Sequence, residues 1–573
     1  MGIEPPNAPD PPRVNAIAAP VVTPPQPPTK AAAPQPQKAP ALAITCMSDD
    51  IAMRSLPSRK ITEKPDTRGK YSGGDEWFPS QTEIDKMKPL PVAIPRGKTQ
   101  AIAYIYGSCF FEDAAEALAT ASTADHRIYI AGWATELRVA LGRSGMLQDI
   151  LQNTRAQVRG LFWVAGIGTG LDNSGTVRAI QSLANGAALL DAQLPPVSAH
   201  HQKILIVQGD QGLIAFLGGM DFMYSRVAIN PSIGEPWSDV HLRLIGPAAD
   251  DVRQIFQNRW LFHPGTRTLD EKLGLSWKDS SDARRDFAFP PAKATSPAAF
   301  GTVTAASNSE RQTRRQVVAI GRTFAKTRQG NPTLYSFAPG GDFSAWSLIE
   351  TGIQRAKRWI YLEDQYLVSR MARQALLAKL KNDPKFEFLL MVMNNSGGLD
   401  FKYAVTARNE FRQELLKLDP NKKKWGLYTI KTPADPARQA WCGSYLHSKI
   451  WIFDDGYSII GSANCDNRGY TLDSEVVAGI ADASDTDLWL GRNFAIDLRT
   501  RLWSKYLGLP HDKVSYFSEG LKYWKTPPPG AMVVENSGYE DDPMYTPPAP
   551  FPDASTSAGY EFLWTHLLDP DAR

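Results

Sequence analysis

The sequence is poor in cysteine, has no long apolar run and carries almost no net charge. Its four cysteines, Cys46, Cys109, Cys442 and Cys465, are scattered and form no CxxC pair. That excludes a disulfide scaffold and a cysteine-rich zinc site. No stretch approaches the roughly 18 apolar residues that a spanning helix needs. Met1 to Asp10 holds Glu4 and Asp10 but no Lys or Arg, so it lacks the charged start of a secretory signal. Pro6 stands where a myristoylation signal wants Ser or Thr. The expectation is a protein soluble as made, cytoplasmic in the producer, with export by a signal-independent route left open. The 63 Lys and Arg nearly cancel the 60 Asp and Glu, leaving a net charge of +3. A strongly basic nucleic-acid coat protein is excluded on that balance.

What is present can fold. Hydrophobic residues are 43% of the chain and charged ones 21%, so a sizeable core is available. A length of 573 residues suggests two or more compact units. Prolines are uneven: 13 of the 44 fall in the first 40 residues, among Ala and Gln. Residues 1–45 read as an extended arm and 46–97 as a lead-in. Two segments of alternating strand and helix signals follow, 98–265 and 315–510, which argues an α/β fold. Strands are expected at Ala101–Tyr106, Arg127–Trp133, Leu161–Ala165, Trp359–Leu362 and Glu387–Met393. Helices are expected at Asp113–Ala121, Ser347–Lys357 and Ala372–Lys381. Residues 266–314 are a linker candidate, and 511–573 read as a proline-rich wrap.

The two segments share a motif. The second holds His447-Ser-Lys449-Ile-Trp-Ile-Phe-Asp454, then Gly461-Ser462-Ala-Asn464. The first holds His201-Gln-Lys203-Ile-Leu-Ile-Val, then Gly218-Gly219-Met-Asp221. In a strand, residues two apart share a face, so each His sides with its Lys. Asp455-Gly456 is a strong two-residue hairpin signal. Counting back from it puts Lys449 opposite Ser462 and His447 opposite Asn464. A three-residue loop Asp210-Gln211-Gly212 in the first copy puts Lys203 opposite Gly219 and His201 opposite Asp221.

Two such hairpins side by side would offer two fixed cations, neutral donors and two imidazoles around one pocket. That set suits a phosphate group. One His can attack phosphorus in line while the other protonates the leaving oxygen. No carboxylate cluster lies at metal-ligand spacing, so no metal or other cofactor is expected. Each His needs an orienting carboxylate, and one candidate follows each: Asp239 after His201, Glu475 after His447.

The second copy resembles, position for position, the HKD signature of the phospholipase D superfamily, His-x-Lys-x4-Asp-x6-Gly-Ser-x-Asn. Six fixed positions match by chance less than about once in 10 million starts. Flanking runs resemble the larger phospholipase D enzymes, among them His200-His201-Gln-Lys203, Trp237-Ser-Asp239, Tyr361-Leu-Glu-Asp-Gln-Tyr366 and Leu502-Trp-Ser-Lys-Tyr-Leu-Gly508. The resemblance implies two pseudo-twofold α/β/α sandwich repeats with one active site at their interface. It implies a phosphohistidine intermediate, with His201 as nucleophile and His447 as general acid and then base. Lys203, Lys449 and Asn464 would hold the phosphate, with Ser462, Gly219 and Asp221 completing the cup. The first copy departs from the signature at Gln208, where Asp is expected.

A lone histidine is most often a satisfied core residue. His200 and His241 lack a matching partner in the motif, and Asp466 and Asn467 could line the pocket or shape the loop. The run Asn421-Lys-Lys-Lys-Trp425 reads as a solvated turn, with a lipid-surface role as its alternative. Arg311 to Arg315 reads as linker. The expected activity is hydrolysis of the distal phosphodiester of glycerophospholipids at a membrane surface, with phosphatidyl transfer to an alcohol possible. The alternatives are a nuclease of the same superfamily, a phosphatidyl-transferring lipid synthase and a non-catalytic lipid binder. The proline-rich arm and large-enzyme flanks also resemble bacterial type VI secretion phospholipase D effectors. That likeness implies a toxin with an immunity protein and a secretion-machinery component as partners.

Overall fold

The computed structural model describes residues 77–87, 93–164, 172–191, 198–226, 236–261, 263, 316–326, 335, 337–394, 402–432, 443–482 and 494–536. The proline-rich arm, the linker 266–314, Arg311 to Arg315 and the end of the chain lie outside these residues.

Among the described residues, fifteen strands form one sheet. The first repeat supplies β1 (Pro95–Tyr104), β2 (Arg127–Gly132), β3 (Gln157–Trp163), β4 (Gly186–Asp191), β5 (Ile204–Gly209), β6 (Gly212–Gly218) and β7 (His241–Ile245). The second supplies β8 (Gln316–Thr323), β9 (Trp359–Asp364), β10 (Phe388–Met393), β11 (Trp425–Ile430), β12 (Lys449–Phe453), β13 (Tyr457–Gly461), β14 (Glu475–Asp482) and β15 (Val533–Glu535). The order is β15-β11-β10-β9-β12-β13-β14-β8-β1-β7-β6-β5-β2-β3-β4. Without β15 it reads as a palindrome about the β8–β1 seam. Each half has three parallel strands outside and antiparallel strands inside. That is the pseudo-twofold α/β architecture.

The strands are buried on both faces, so they read as apolar runs rather than alternating ones. Every residue of β5, β6, β12 and β13 is buried. On one face a single apolar core runs through both repeats, from Leu242 and Trp260 to Ile450 and Trp503. On the other face each repeat keeps its own core, around Phe111 and Val207 in one and Trp346 and Trp451 in the other. The continuous core and the seam make the halves one body. Arg501 donates to the Ala103 carbonyl at 3.0 Å and Lys505 to that of Ile105 at 3.2 Å, both across the repeats.

Residues 511–525, at the start of the segment read as a proline-rich wrap, are mostly helical. His511–Val514 and Phe517–Lys525 form helices, and β15 pairs antiparallel with β11. Phe517, Gly520 and Trp524 repeat at helical spacing and are buried. The basic run after Asn421 is the turn into β11, whose Trp425 is buried and donates Nε1–H to the Asp419 carbonyl. It sits at the N-terminal end of the parallel strands, while Asp364 and Lys449 mark the opposite end.

Candidate active site

Both motif hairpins form, each one residue out of the expected register. Phe453 pairs with Tyr457, so the second loop is Asp454-Asp455-Gly456. Gly209 pairs with Gly212, so the first loop is only Asp210-Gln211. In the second hairpin the left-handed residues are Asp454 (φ 49°) and Asp455 (φ 57°), one place earlier than Asp-Gly suggests. Extending each ladder by one pair sets Lys449 opposite Gly461 and Lys203 opposite Gly218. Ser462 and Gly219 therefore serve other groups. The Ser462 hydroxyl donates to Glu475 Oε2. A Cβ on Gly219 would meet Asp239 Oδ1 at 2.1 Å, so glycine leaves room for that carboxylate.

The orienting carboxylates are those expected, but they are exchanged between the repeats. His201 Nδ1 lies 2.8 Å from Glu475 Oε1, and His447 Nδ1 lies 2.6 Å from Asp239 Oδ2. Backbone bridges cause the exchange. His201 N–H donates to the Ser474 carbonyl and Ser474 N–H to that of Ala199. Ser238 N–H donates to the Tyr445 carbonyl, and His447 N–H donates to that of Ser238. Each His-bearing segment thus runs beside the carboxylate-bearing segment of the other half. Pairing within one repeat would need the His to reach back across its own hairpin.

With Nδ1 engaged, each Nε2 is left for chemistry. Burial, then the Lys203 and Lys449 charges, hold His201 well below the ordinary imidazole range. Burial, then Lys449, Arg226, Lys203 and His201, do the same for His447. These mutual effects place both rings and both lysines in one cluster. Burial pushes Glu475 up to about 8 and Asp239 up to about 6. Burial also brings Lys449 down to about 8, against the attraction of Asp239 and Asp364.

Lys203 donates to the His201 carbonyl at 2.8 Å and lies 3.4 Å from Asp221 Oδ2. Lys449 donates to the His447 carbonyl and to Gln365 Oε1 at 3.2 Å. Asp221 Oδ1 also accepts from the N–H groups of Trp133 and Ala134, so it ties β2's end to the first hairpin. Asn464 is buried, and its side-chain oxygen has no hydrogen-bond partner. Asp364 Oδ2 accepts from Cys465 N–H and fixes the loop beside Asn464. Asp466 caps the helix Asn467–Thr471, and Asn467 accepts from Ser369, so both shape the loop. His200 pairs with Asp191 at 2.9 Å, and His241 stacks on Phe110 at 4.0 Å. Both are buried core residues.

Asp454 sits at the far end of its hairpin. Its carboxylate accepts from the N–H groups of Lys357, Arg358 and Trp359 and anchors the entry to β9. Gln208 holds the equivalent place inside β5, paired with Arg127. Asp210, two residues on, takes over the contact: its N–H donates to Thr120 and Ser122 Oγ reaches its carboxylate. Hence Asp454→Asn should lower stability by about 1–3 kcal/mol, since one of two buried acceptor oxygens becomes a donor. Denaturant unfolding measures this, and the folded variant should keep its specific activity.

Arg226 and Tyr445 escaped sequence reasoning, and Trp237 entered it only within the flanking run Trp237-Ser-Asp239. Arg226, Trp237 and Tyr445 form a wall beside His447. The Arg226 guanidinium lies 3.8 Å from the Trp237 ring centre, Trp237 lies 4.4 Å from Tyr445, and Trp237 lies 5.0 Å from His447. Trp237 stands two residues before Asp239, which was the available signal. Arg226 and Tyr445 carried none outside the motif.

A family model described as cardiolipin synthase, PLD-like domain, matches residues 349–494. Phospholipase D alpha 2 of Oryza sativa subsp. japonica is 24% identical over 71% of this chain and 64% of its own length. Phospholipase D alpha 1 of Cynara cardunculus is 22% identical over 57% of this chain and 51% of its own. The chain thus spans between half and two thirds of these relatives. Among solved structures, phosphatidylserine synthase of Haemophilus influenzae Rd KW20 aligns with a TM-score of 0.48 at 11% identity, covering 84% of this chain and 96% of that one. Nuc of Salmonella typhimurium aligns with a TM-score of 0.20 at 17% identity, over 30% of this chain and 87% of that one. The second hairpin lies inside the matched region and the first repeats its geometry, so residues 349–494 match a PLD-like domain and the paired hairpins fit the phospholipase D superfamily that the motifs resemble.

Proposed function

We propose that this protein is a phospholipase D, releasing the head group of glycerophospholipids and leaving phosphatidic acid. The observation that carries the reading is the crossed pair of His–carboxylate contacts, which engages both Nδ1 atoms and leaves both Nε2 atoms for chemistry on rings that feel the Lys203 and Lys449 charges. The Nε2 lone pair of His201 attacks phosphorus. The bond to the head-group oxygen breaks, and that oxygen takes a proton from His447 Nε2. Water then attacks the phosphohistidine and gives its proton to His447. The P–N bond breaks, and its electron pair returns to His201. Lys203 and Lys449 balance the phosphate charge in both steps, and Asn464 supplies a further polar contact. An alcohol in place of water gives phosphatidyl transfer.

Among the described residues, no three His, Cys, Asp or Glu side chains are grouped to hold a metal ion. No helix there is long and apolar enough to cross a membrane. The test is release of choline or ethanolamine from mixed phospholipid vesicles in excess chelator, beside a nuclease assay. Chelator-resistant release is expected. Cleavage of DNA with no lipid turnover would sink the reading. Phosphatidyl transfer exceeding hydrolysis in the presence of glycerol would instead favour a lipid synthase. As an effector the protein would poison a cell that makes it unless an immunity partner is co-expressed, and harmless expression would count against that role.

A further inference from the structure

The pseudo-twofold makes the two His–carboxylate pairs equivalent in backbone, yet the reaction asks different things of them. The surroundings of the two carboxylates differ in their cations by one buried guanidinium, and Asp473 adds a negative charge on the Glu475 side. Behind His447, Arg226 Nε lies 3.7 Å from Asp239 Oδ2. The arginine is 2% exposed. One face of its guanidinium covers Trp237 at 3.8 Å, and Nη1 donates to Ser225 Oγ at 2.9 Å. Behind His201, Glu475 instead receives the neutral Ser462 hydroxyl. Arg468, which follows Asn464 much as Arg226 follows Asp221, turns to Asp473 at 3.0 Å. Lys203 and Lys449 bear on both pairs and do not distinguish them.

Resting on the phospholipase D reading above, we infer that Arg226 is the positioning residue that makes the two histidines unequal. Its fixed charge partly neutralises the carboxylate behind His447 and so makes His447 the readier proton donor. A carboxylate shared with a guanidinium attracts the imidazolium proton less, and that proton passes more easily to the leaving oxygen. Glu475 has no such neighbour. It draws harder on the Nδ1 proton of His201 and enriches Nε2 as a nucleophile. The direction agrees with the surroundings: Lys449, Arg226 and Lys203 oppose the upward push of burial on Asp239, and Arg226 also lowers His447. The remaining charges facing Arg226 are Asp221, Tyr445 and Glu136, and Asp473 faces Glu475.

The test uses two lipids in single-turnover experiments over pH, one with choline and one with p-nitrophenol as the leaving group. The second needs little protonation. Arg226→Gln should slow choline release about tenfold and move the basic limb of its pH profile up by about one unit, because His447 becomes the weaker acid. Release of p-nitrophenol should change less than about threefold. Arg226→Lys keeps a charge but cannot stack on Trp237 in the same way, and should show a smaller shift of the same sign. If Arg226→Gln does not fold, the sign of the Arg226→Lys shift decides. Equal losses on both lipids with an unmoved limb, in folded protein, would overturn the inference. A wild type that cleaves neither lipid would instead overturn the phospholipase D reading.

Discussion

Replacement of His201 by alanine is expected to abolish head-group release, a loss of at least about 10^4-fold, and to leave no phosphoenzyme. His201 is the ring whose Nδ1 is held by Glu475, the more basic of the two carboxylates, and whose side chain is 13% exposed. It can therefore meet phosphorus without moving the core. The alanine protein should fold. Glu475 keeps the Ser462 hydroxyl as a partner, so the structural cost stays at about 1–3 kcal/mol, that of a single lost buried contact. His447→Ala should behave differently. With a p-nitrophenyl lipid it should still form the adduct but hydrolyse it slowly, because water lacks its base. Intact-protein mass after an alkaline quench reads both results. An adduct trapped on His201→Ala, with none on His447→Ala, would exchange the two roles.

Much of this arrangement is written locally and some of it is not. The apolar runs Ile204–Val207 and Ile450–Phe453 announce buried strands, and the structure has them as β5 and β12. The strand and helix at Trp359 and Ala372 follow from short-range patterning and are found within a few residues of their expected ends. The hairpin register is not written locally, because it depends on which residue adopts a left-handed backbone. Asp454 does so, and three N–H groups from the strand-entry loop near 358 hold it there. Those groups lie about a hundred residues away in sequence and leave no mark beside the turn. The same holds at the site. The motif names His201, Lys203, His447 and Lys449. The pairing of His201 with a carboxylate 274 residues distant follows from the bridges between repeats, which no spacing encodes. Arg226 is a further case: its meaning lies in Asp239 and Trp237, which approach it only when the first repeat closes.

The exchanged carboxylates give the sharpest test of the fold's bearing on chemistry. Glu475→Gln and Asp239→Asn are each expected to lower head-group release by about 10^3 to 10^4-fold, since an amide no longer fixes the useful tautomer or stabilises imidazolium. The two losses should fall on different steps. Glu475 stands behind His201, so Glu475→Gln should weaken attack on phosphorus and suppress adduct formation with either leaving group. Asp239 stands behind His447, so Asp239→Asn should spare adduct formation from the p-nitrophenyl lipid and slow its hydrolysis. Phosphoenzyme then accumulates in Asp239→Asn and is missing in Glu475→Gln. Pairing within each repeat predicts the reverse assignment, with accumulation in Glu475→Gln. Because each histidine draws its carboxylate from the other half, a single repeat holds no complete pair. Wild-type turnover therefore requires both hairpins in one body, joined by the seam between β1 and β8.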